Sequence, residues 1–141
     1  MLRLLETLRW TTSAANVQPW ECILVQEPHR RLQLESCLLD LFLRPIAPAG
    51  LLERAPIVLV IAVDRKRTAA RHAEIGERLL AVQDTAVAIA HLRLAAAEQG
   101  LGSTWIREVD LARVAEVLEL PRGWTAAAEP LQARAIAARI E

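Results

Sequence analysis

The chain has 141 residues with 17 basic and 17 acidic side chains, which gives a formal net charge of +0. This length predicts one domain spanning residues 1–141, and the scattered, balanced charge excludes the basic face that binds nucleic acids or anionic membranes. Hydrophobic residues make up 53% of the chain and aromatic residues only 4%, so Leu, Ala, Val and Ile must build the core. Charged residues interrupt every long apolar run, including the N-terminal one, so we predict a cytoplasmic protein that lacks a membrane partner.

The N-terminal third predicts a helix, a polar loop, a strand and a second helix. Residues 1–10 repeat apolar side chains at helical spacing, and the strand is expected at residues 22–26. Pro28 suits the first turn of the second helix, where its missing N–H costs nothing. The residues expected on the buried faces of the two helices are Met1, Leu4, Leu5, Leu8, Leu34, Cys37, Leu38, Leu41 and Phe42.

The middle of the chain predicts an irregular segment, a buried strand and a polar segment. Two prolines and a glycine make residues 44–50 irregular, whereas residues 57–63, IVLVIAV, are apolar throughout and indicate a strand covered on both faces. The polar residues 64–72, DRKRTAARH, are interpreted as a mobile segment, either a lid over a site or a plain solvated loop. Arg65, Arg67 and Arg71 give this segment a positive charge.

Residues 74–99 predict one helix of about 39 Å, at 1.5 Å per residue. Its apolar residues cover most of the circumference, so it must be enclosed by protein, and in so short a chain we expect a second subunit to contribute. Gly100 is expected to end this helix in a left-handed conformation, and a strand follows at residues 103–106. Asp110 is predicted to cap another helix, and the tail from Thr125 has only a weak pattern.

No metal site, disulfide or hydrolytic triad is predicted. Cys22 and Cys37 lack metal-binding spacing and are interpreted as buried, reduced thiols. The three histidines, His29, His72 and His91, are assigned to the surface or to helix packing. Ser13 could in principle belong to a triad, but the G-x-S-x-G turn of the hydrolases is absent.

The candidate site is the uncharged polar loop in residues 11–25, TTSAANVQPWECILV. Ser13, Asn16 and Gln18 can present hydrogen-bond donors and acceptors to a polar heterocycle without contributing charge. The same side chains could instead cap neighbouring elements, and their spacing alone does not decide between the two interpretations.

Two separated motifs give the chain a resemblance to the nitroreductase family. The first is S-x-x-N-x-Q-P-W at residues 13–20, and the second is D-x-A-x-A-x-x-x-L-x-L-A-A-x-x-x-G-L-G-S-x-W-I at residues 84–106. Between and after them, ERAPIVLVIAV resembles the family's central strand and LELPRGW resembles its L-x-L-P-x-G-W turn. The resemblance covers residues 2–131.

The resemblance implies a single nitroreductase-like domain of the α+β class. In this family a mainly antiparallel central sheet is surrounded by helices, and two chains intertwine as a homodimer with FMN bound in the interface. The resemblance makes Ser13 and Asn16 ligands of the flavin and its ribityl chain, while Gln18 would brace the loop. It puts Asp84 at the pyrimidine edge of the ring, and the backbone of Trp105 and Ile106 beside the reactive nitrogen.

The implied activity is FMN-dependent reduction of nitroaromatic compounds, quinones or similar electrophiles by NAD(P)H, through ping-pong hydride transfer. No catalytic side chain is required, because the cofactor carries the chemistry. The sequence departs from the family in three places. It starts inside the family's first helix, so the arginine-rich segment that grips the FMN phosphate is either missing or removed by a truncated start, and Arg134 or Arg139 could supply a phosphate contact instead. The chain also has PLQAR at residues 130–134 in place of P-L-G-Y-P, and His91 where Asn is common. The alternative is therefore a degenerate nitroreductase-fold dimer that binds FMN weakly or not at all and acts as a non-catalytic ligand-binding protein.

Overall fold

Six α-helices and four β-strands make up the part of the chain that the structure, a computed structural model, describes: residues 2–40, 42, 44–45, 50–121 and 133–139. In chain order the elements are α1 Leu2–Trp10, β1 Trp20–Leu24, α2 Pro28–Glu35, α3 Leu51–Arg54, β2 Ile57–Val63, α4 Arg65–Ile75, α5 Ala81–Glu98, β3 Gly102–Ile106, α6 Leu111–Val117 and β4 Ala133–Arg139. A short 3-10 turn, Ala14–Asn16, precedes β1, and a π-helical turn, Gly76–Leu80, joins α4 to α5. The predicted α+β class is confirmed.

The strands form one sheet in the order β1-β2-β4-β3, and all three pairings are antiparallel. The register places Cys22 opposite Ile61, and Trp105 of β3 opposite residue 136 of β4. Residues 57–63 were predicted to be a buried strand, and β2 is indeed an inner strand with β1 on one side and β4 on the other. The mainly antiparallel sheet predicted from the resemblance is also confirmed.

Both faces of the sheet are covered, which explains why β2 is apolar at every position. Val58 and Val60 point into a core built with α2, α3 and α6, whereas Leu59 and Ile61 point into a core built with α1 and α5. Alternate side chains of a strand project to opposite faces, so a strand buried on both faces needs no polar position. In α1, the predicted core residues Leu4 and Leu8 are buried on the second side.

Several local predictions hold because they depend on capping chemistry. Pro28 occupies the first turn of α2, and the Asp110 carboxylate accepts the backbone N–H of Arg113 at 3.2 Å at the start of α6. Gly100 follows α5 with a φ of 73°, the left-handed conformation expected there. The strand expected at residues 103–106 is β3.

Two predictions are wrong. The segment 64–72 is not a mobile loop, because Asp64 caps α4 by accepting the backbone N–H of Arg67 at 3.1 Å. Phe42 is not in the core, since α2 ends at Glu35 and the helical repeat stops with it; its ring is 77% exposed. The tail, for which no element was predicted, contains β4, whose backbone pairs with strands on both sides. The expectations for Met1, Leu41 and residues 46–49 lie outside the described residues.

The helical run from α4 to α5 changes direction once. Ala73 adopts a φ of 49° and a ψ of −141°, which bends the chain near the end of α4, and α5 then continues from the π-helical turn. By length and composition alone, Arg65–Glu98 is the one described helix that could cross a membrane. Part of its apolar surface is accounted for by packing, because Ala88, Ile89 and Leu92 of α5 lie in the core with α1 and β2.

Candidate functional site

The polar loop at residues 13–18 has an unusual backbone. Ala15, Asn16 and Gln18 have φ angles of 49°, 54° and 49°, in the left-handed region that residues with a side chain rarely adopt. Each such residue costs about 1–2 kcal/mol, and Asn tolerates the conformation better than Ala or Gln. Three left-handed residues within four positions persist only where surrounding contacts hold them, and such strain clusters at functional sites.

Short hydrogen bonds inside the loop fix its turn. The backbone N–H of Asn16 donates to the Ser13 carbonyl at 2.9 Å, and that of Val17 donates to the Ala14 carbonyl at 3.1 Å. The Ser13 hydroxyl oxygen accepts the backbone N–H of Gln18 at 2.9 Å. Ser13 therefore closes the loop on itself while its hydroxyl proton is still available to a ligand.

Three neighbouring elements hold the loop from outside. On α5, the Asp84 carboxylate accepts the Ala14 N–H at 2.9 Å, so Asp84 and the loop are brought together. On α4, a guanidinium nitrogen of Arg67 donates to the Gln18 carbonyl at 2.9 Å, while the same side chain pairs with Glu21 at 2.6 Å. The Gln18 amide nitrogen donates to a carbonyl of α1 at 3.1 Å, which agrees with the bracing role expected of Gln18.

A second contact joins α5 to the start of the loop. The buried Thr11 hydroxyl donates to the Thr7 carbonyl at 3.0 Å, so its proton is committed and its oxygen accepts. The same oxygen lies 3.1 Å from Nδ1 of His91, so a hydrogen bond joins the two side chains. His91 thus holds Thr11 at the start of the loop.

The outer surface of the loop presents uncharged polar groups. Asn16 and Thr12 are exposed and Ser13 is half-buried. Within the described part of the chain, the Asn16 side-chain amide makes no hydrogen bond, so its donors and acceptor can meet a ligand. A cavity of about 10 Å³, lined by Leu4, Leu59, Leu92 and Ser103, lies toward the opposite end of β2 from the loop and is far too small for a flavin.

Trp105 and Ile106 lie apart from the loop in a single copy of the chain. The pairings put Trp20 of β1, Val63 of β2 and Ile106 of β3 at the same end of the sheet. The strand order separates β1 from β3 by three spacings, or about 14 Å at about 4.8 Å each. The six residues predicted for the cofactor site therefore form two groups. Trp105 and Ile106 lie on the edge strand β3, whereas Ser13, Asn16 and Gln18 lie in the loop before the other edge strand, β1, and Asp84 contacts that loop from α5.

The remaining reactive side chains offer no second site. Burial, reinforced by the nearby Glu21 carboxylate, raises the pKa of the Cys22 thiol to about 12, and burial also raises the pKa of Cys37. Both are free cysteines; Cys37 is buried, as predicted, whereas Cys22 is half-buried. Protonated thiols of this kind are poor nucleophiles. Across the described ranges, no group of three or more His, Cys, Asp or Glu side chains is placed to hold a metal ion.

The side of α5 that faces away from the sheet carries exposed apolar side chains among polar ones such as Gln83. We define the exposed stripe as Ile75, Leu79, Val87 and Leu94, which follow helical spacing along α4, the π-helical turn and α5; Leu94 is 68% exposed. Trp10, at the end of α1, is 80% exposed. The sequence predicted that apolar residues surround this helix. The structure shows which of them are buried against the sheet and which are exposed.

Taken together, the features are an antiparallel sheet covered on both faces, a strained uncharged loop that leads into the edge strand β1, and a long helix with exposed apolar side chains. They define an α+β protein with a strained polar loop. The chain belongs to the Nitroreductase family, whose pattern matches residues 1–128. The family predicted from the sequence is thereby confirmed, and membership supports the oxidoreductase class.

Solved structures of family members have the same fold. A nitroreductase family protein from Clostridium novyi NT is 17% identical, with a TM-score of 0.79 over 99% of this chain and 72% of that chain. One from Streptococcus pneumoniae TIGR4 is 20% identical, with a TM-score of 0.74 over 96% and 76%. An FMN-dependent nitroreductase from Clostridium difficile R20291 is 20% identical, with a TM-score of 0.71 over 96% and 70%. The comparison with curated proteins gave no match.

Proposed function

We propose that the protein is an FMN-dependent oxidoreductase that takes electrons from NAD(P)H and reduces nitroaromatic compounds, quinones or similar electrophiles in the cytoplasm. The observation that carries the proposal is the loop at residues 13–18, whose strained backbone and uncharged donors are already held in place. Membership of the Nitroreductase family supports the same cofactor, as does the likeness to the fold of an FMN-dependent nitroreductase.

The polar groups of the loop fit a flavin ring and its ribityl chain. Asn16 offers an amide that can donate and accept, and Ser13 offers a hydroxyl proton, while Gln18 keeps the loop in shape. These groups are uncharged, which suits the recognition of a heterocycle through hydrogen bonds. Bound FMN would supply hydride transfer, from NAD(P)H and then to the acceptor in a ping-pong sequence. The residues of the chain bind and orient, and none needs to act as nucleophile or general base.

The site is proposed to be completed by a second copy of the chain. Trp105 and Ile106 lie about 14 Å across the sheet from β1, too far to flank the same ring edge as the loop. The exposed stripe offers a surface for a homodimer, because apolar side chains such as Leu94 are otherwise left in water. A dimer that pairs these stripes would account for both observations.

The dimer is tested by placing a charged residue in the exposed stripe. Leu94→Arg places a charge in the proposed interface and should convert a dimer to a monomer, as measured by size-exclusion chromatography with light scattering. Leu32→Arg is the matched control, because Leu32 is also an exposed leucine but lies on α2, away from the stripe. A wild-type protein that is monomeric at all concentrations, or a Leu94→Arg variant that remains dimeric, contradicts the proposal.

The cofactor is tested by absorbance and fluorescence of the purified protein with and without added FMN. We expect Asn16→Ala to weaken FMN binding several-fold, because it removes the open amide, while Thr12→Ala, an equally exposed change in the same loop, should have little effect. Bound flavin that NADH or NADPH bleaches, and that a quinone or nitroaromatic compound restores, is the expected result. Failure to take up FMN refutes the proposal.

One observation favours the alternative of a non-catalytic ligand-binding dimer. The FMN phosphate requires a cation, and Arg67, whose guanidinium reaches the loop, is already engaged by Glu21 and Asp64. Each charge-assisted contact to the phosphate that the protein does not make would cost about 1.5–3 kcal/mol. A dimer that forms normally but takes up no FMN at millimolar concentration would establish this alternative.

A further inference from the structure

The Asp84 and His91 side chains both form hydrogen bonds to the segment Thr11–Ala14, which runs from α1 into the loop. Asp84 accepts the Ala14 N–H at 2.9 Å, and Nδ1 of His91 meets the Thr11 hydroxyl at 3.1 Å. Asp84 and His91 are seven residues apart, so they lie on the same face of α5 after nearly two turns. One helix face therefore holds two points of the same short segment.

The distance between the two contact points is about the same along α5 as along the segment from Thr11 to Ala14. Seven residues of α-helix rise about 10.5 Å, and three residues of extended chain span about 10–11 Å. Thr11 and Ala14 are three residues apart, and Ser13 between them is extended, with a φ of −148° and a ψ of 160°. The segment from Thr11 to Ala14 is thus long enough to run alongside α5 between the two contacts.

From this geometry we infer that Asp84 and His91 are positioning residues of the proposed flavin site, which act through the loop. They fix the two ends of the Thr11–Ala14 segment, and the second fixed point lies immediately before the left-handed residue Ala15. The loop then enters its strained turn from a defined position, so the groups of Ser13 and Asn16 are placed before a ligand arrives. Because ordering the loop would otherwise oppose binding, this arrangement raises affinity. The inference rests on the proposed function for the identity of the ligand.

The experiment compares Asp84→Ala, Asp84→Asn and His91→Ala with a control, Glu98→Ala. Glu98 is an exposed carboxylate on the same helix, at the end away from the loop. We expect Asp84→Ala to weaken FMN binding at least tenfold, about 1.4 kcal/mol, with a shifted absorption band of bound flavin. Asp84→Asn retains an acceptor oxygen and should stay within about threefold of wild type, and His91→Ala should weaken binding about threefold. Glu98→Ala should bind as wild type does.

Hydrogen–deuterium exchange of the protein without added FMN gives a readout that does not need the cofactor. Exchange of the Ala14 amide, and of the amides of Asn16 to Gln18, should accelerate at least tenfold in Asp84→Ala and remain unchanged in Glu98→Ala. Unchanged exchange overturns the inference, whether or not FMN binds. Faster exchange with unaltered FMN affinity and spectrum also overturns it, because Asp84 would then have a structural role only. If wild type binds no FMN, the proposed function fails, while accelerated exchange in Asp84→Ala still supports the fixed loop.

Discussion

Replacing Gly76 by Ala should destabilise the protein, although Ala is the better helix former. Gly76 has helical angles, φ −62° and ψ −46°, so helix propensity alone predicts a gain of about 0.8–1 kcal/mol. A Cβ at this position would lie 2.6 Å from the Thr68 carbonyl oxygen and 2.8 Å from Cβ of His72. Those atoms are backbone and the base of a side chain, so α4 and the π-helical turn would have to move apart.

The two effects differ in size as well as in sign. Overpacking costs about 1–3 kcal/mol, and a contact with backbone belongs at the upper end of that range. After the propensity gain is subtracted, we expect a loss of about 2 kcal/mol in the free energy of unfolding, or about 4–8 °C in Tm. Urea unfolding followed by circular dichroism measures it, at one fixed protein concentration because a dimer would unfold in a concentration-dependent way.

A matched control separates the steric effect from helix propensity. Ala90→Gly, on the exposed side of α5, should cost about 1 kcal/mol through propensity alone. If Gly76→Ala is as stable as wild type or more stable, while Ala90→Gly behaves as expected, the close approach of Gly76 to α4 is refuted.

Three further predictions follow from buried polar groups and thiols. Glu35→Ala should lower the free energy of unfolding by about 2–4 kcal/mol, because the buried carboxylate accepts two backbone N–H groups at the start of α3. An unaltered urea midpoint would contradict this prediction. Arg31→Ala should cost about 1–3 kcal/mol, since its guanidinium donates to three carbonyls at the ends of β1 and β2; full rescue by Arg31→Lys would count against that account. Cys22 has a pKa of about 12, so it should react with iodoacetamide at pH 8 on the order of a thousandfold more slowly than an ordinary thiol of pKa about 8.5. Mass spectrometry measures the labelling, and rapid labelling of the native protein would disprove its burial.

The sequence predicted those features that depend on local chemistry. The strand β2 follows from an apolar run of seven residues, the cap of α6 from Asp110, and the end of α5 from Gly100. Each is decided by the side chains of the segment itself, so no knowledge of distant residues was required. The family followed from two motifs whose order and separation are visible in the chain.

The features that were missed depend on distant partners. The alternation in β4 is weak, and its residues become a strand because β2 and β3 offer hydrogen-bonding edges on both sides. The polar composition of α4 concealed a helix started by Asp64. In the loop, the residues Ser13, Asn16 and Gln18 were predicted, but their left-handed turn was not, because the contacts that hold it come from α1, α4 and α5.

The position of β4 between β2 and β3 has a consequence for how the protein is made. Ribosomes deliver the chain from its N-terminus, so β3 emerges before the strand that will connect it to the rest of the sheet. Until residues 133–139 are available, β2 and β3 each expose a row of unpaired backbone groups, which is where foreign strands attach. Newly made chains should therefore depend on rapid capture of β4, and chaperones that shield strand edges should improve the yield of native protein.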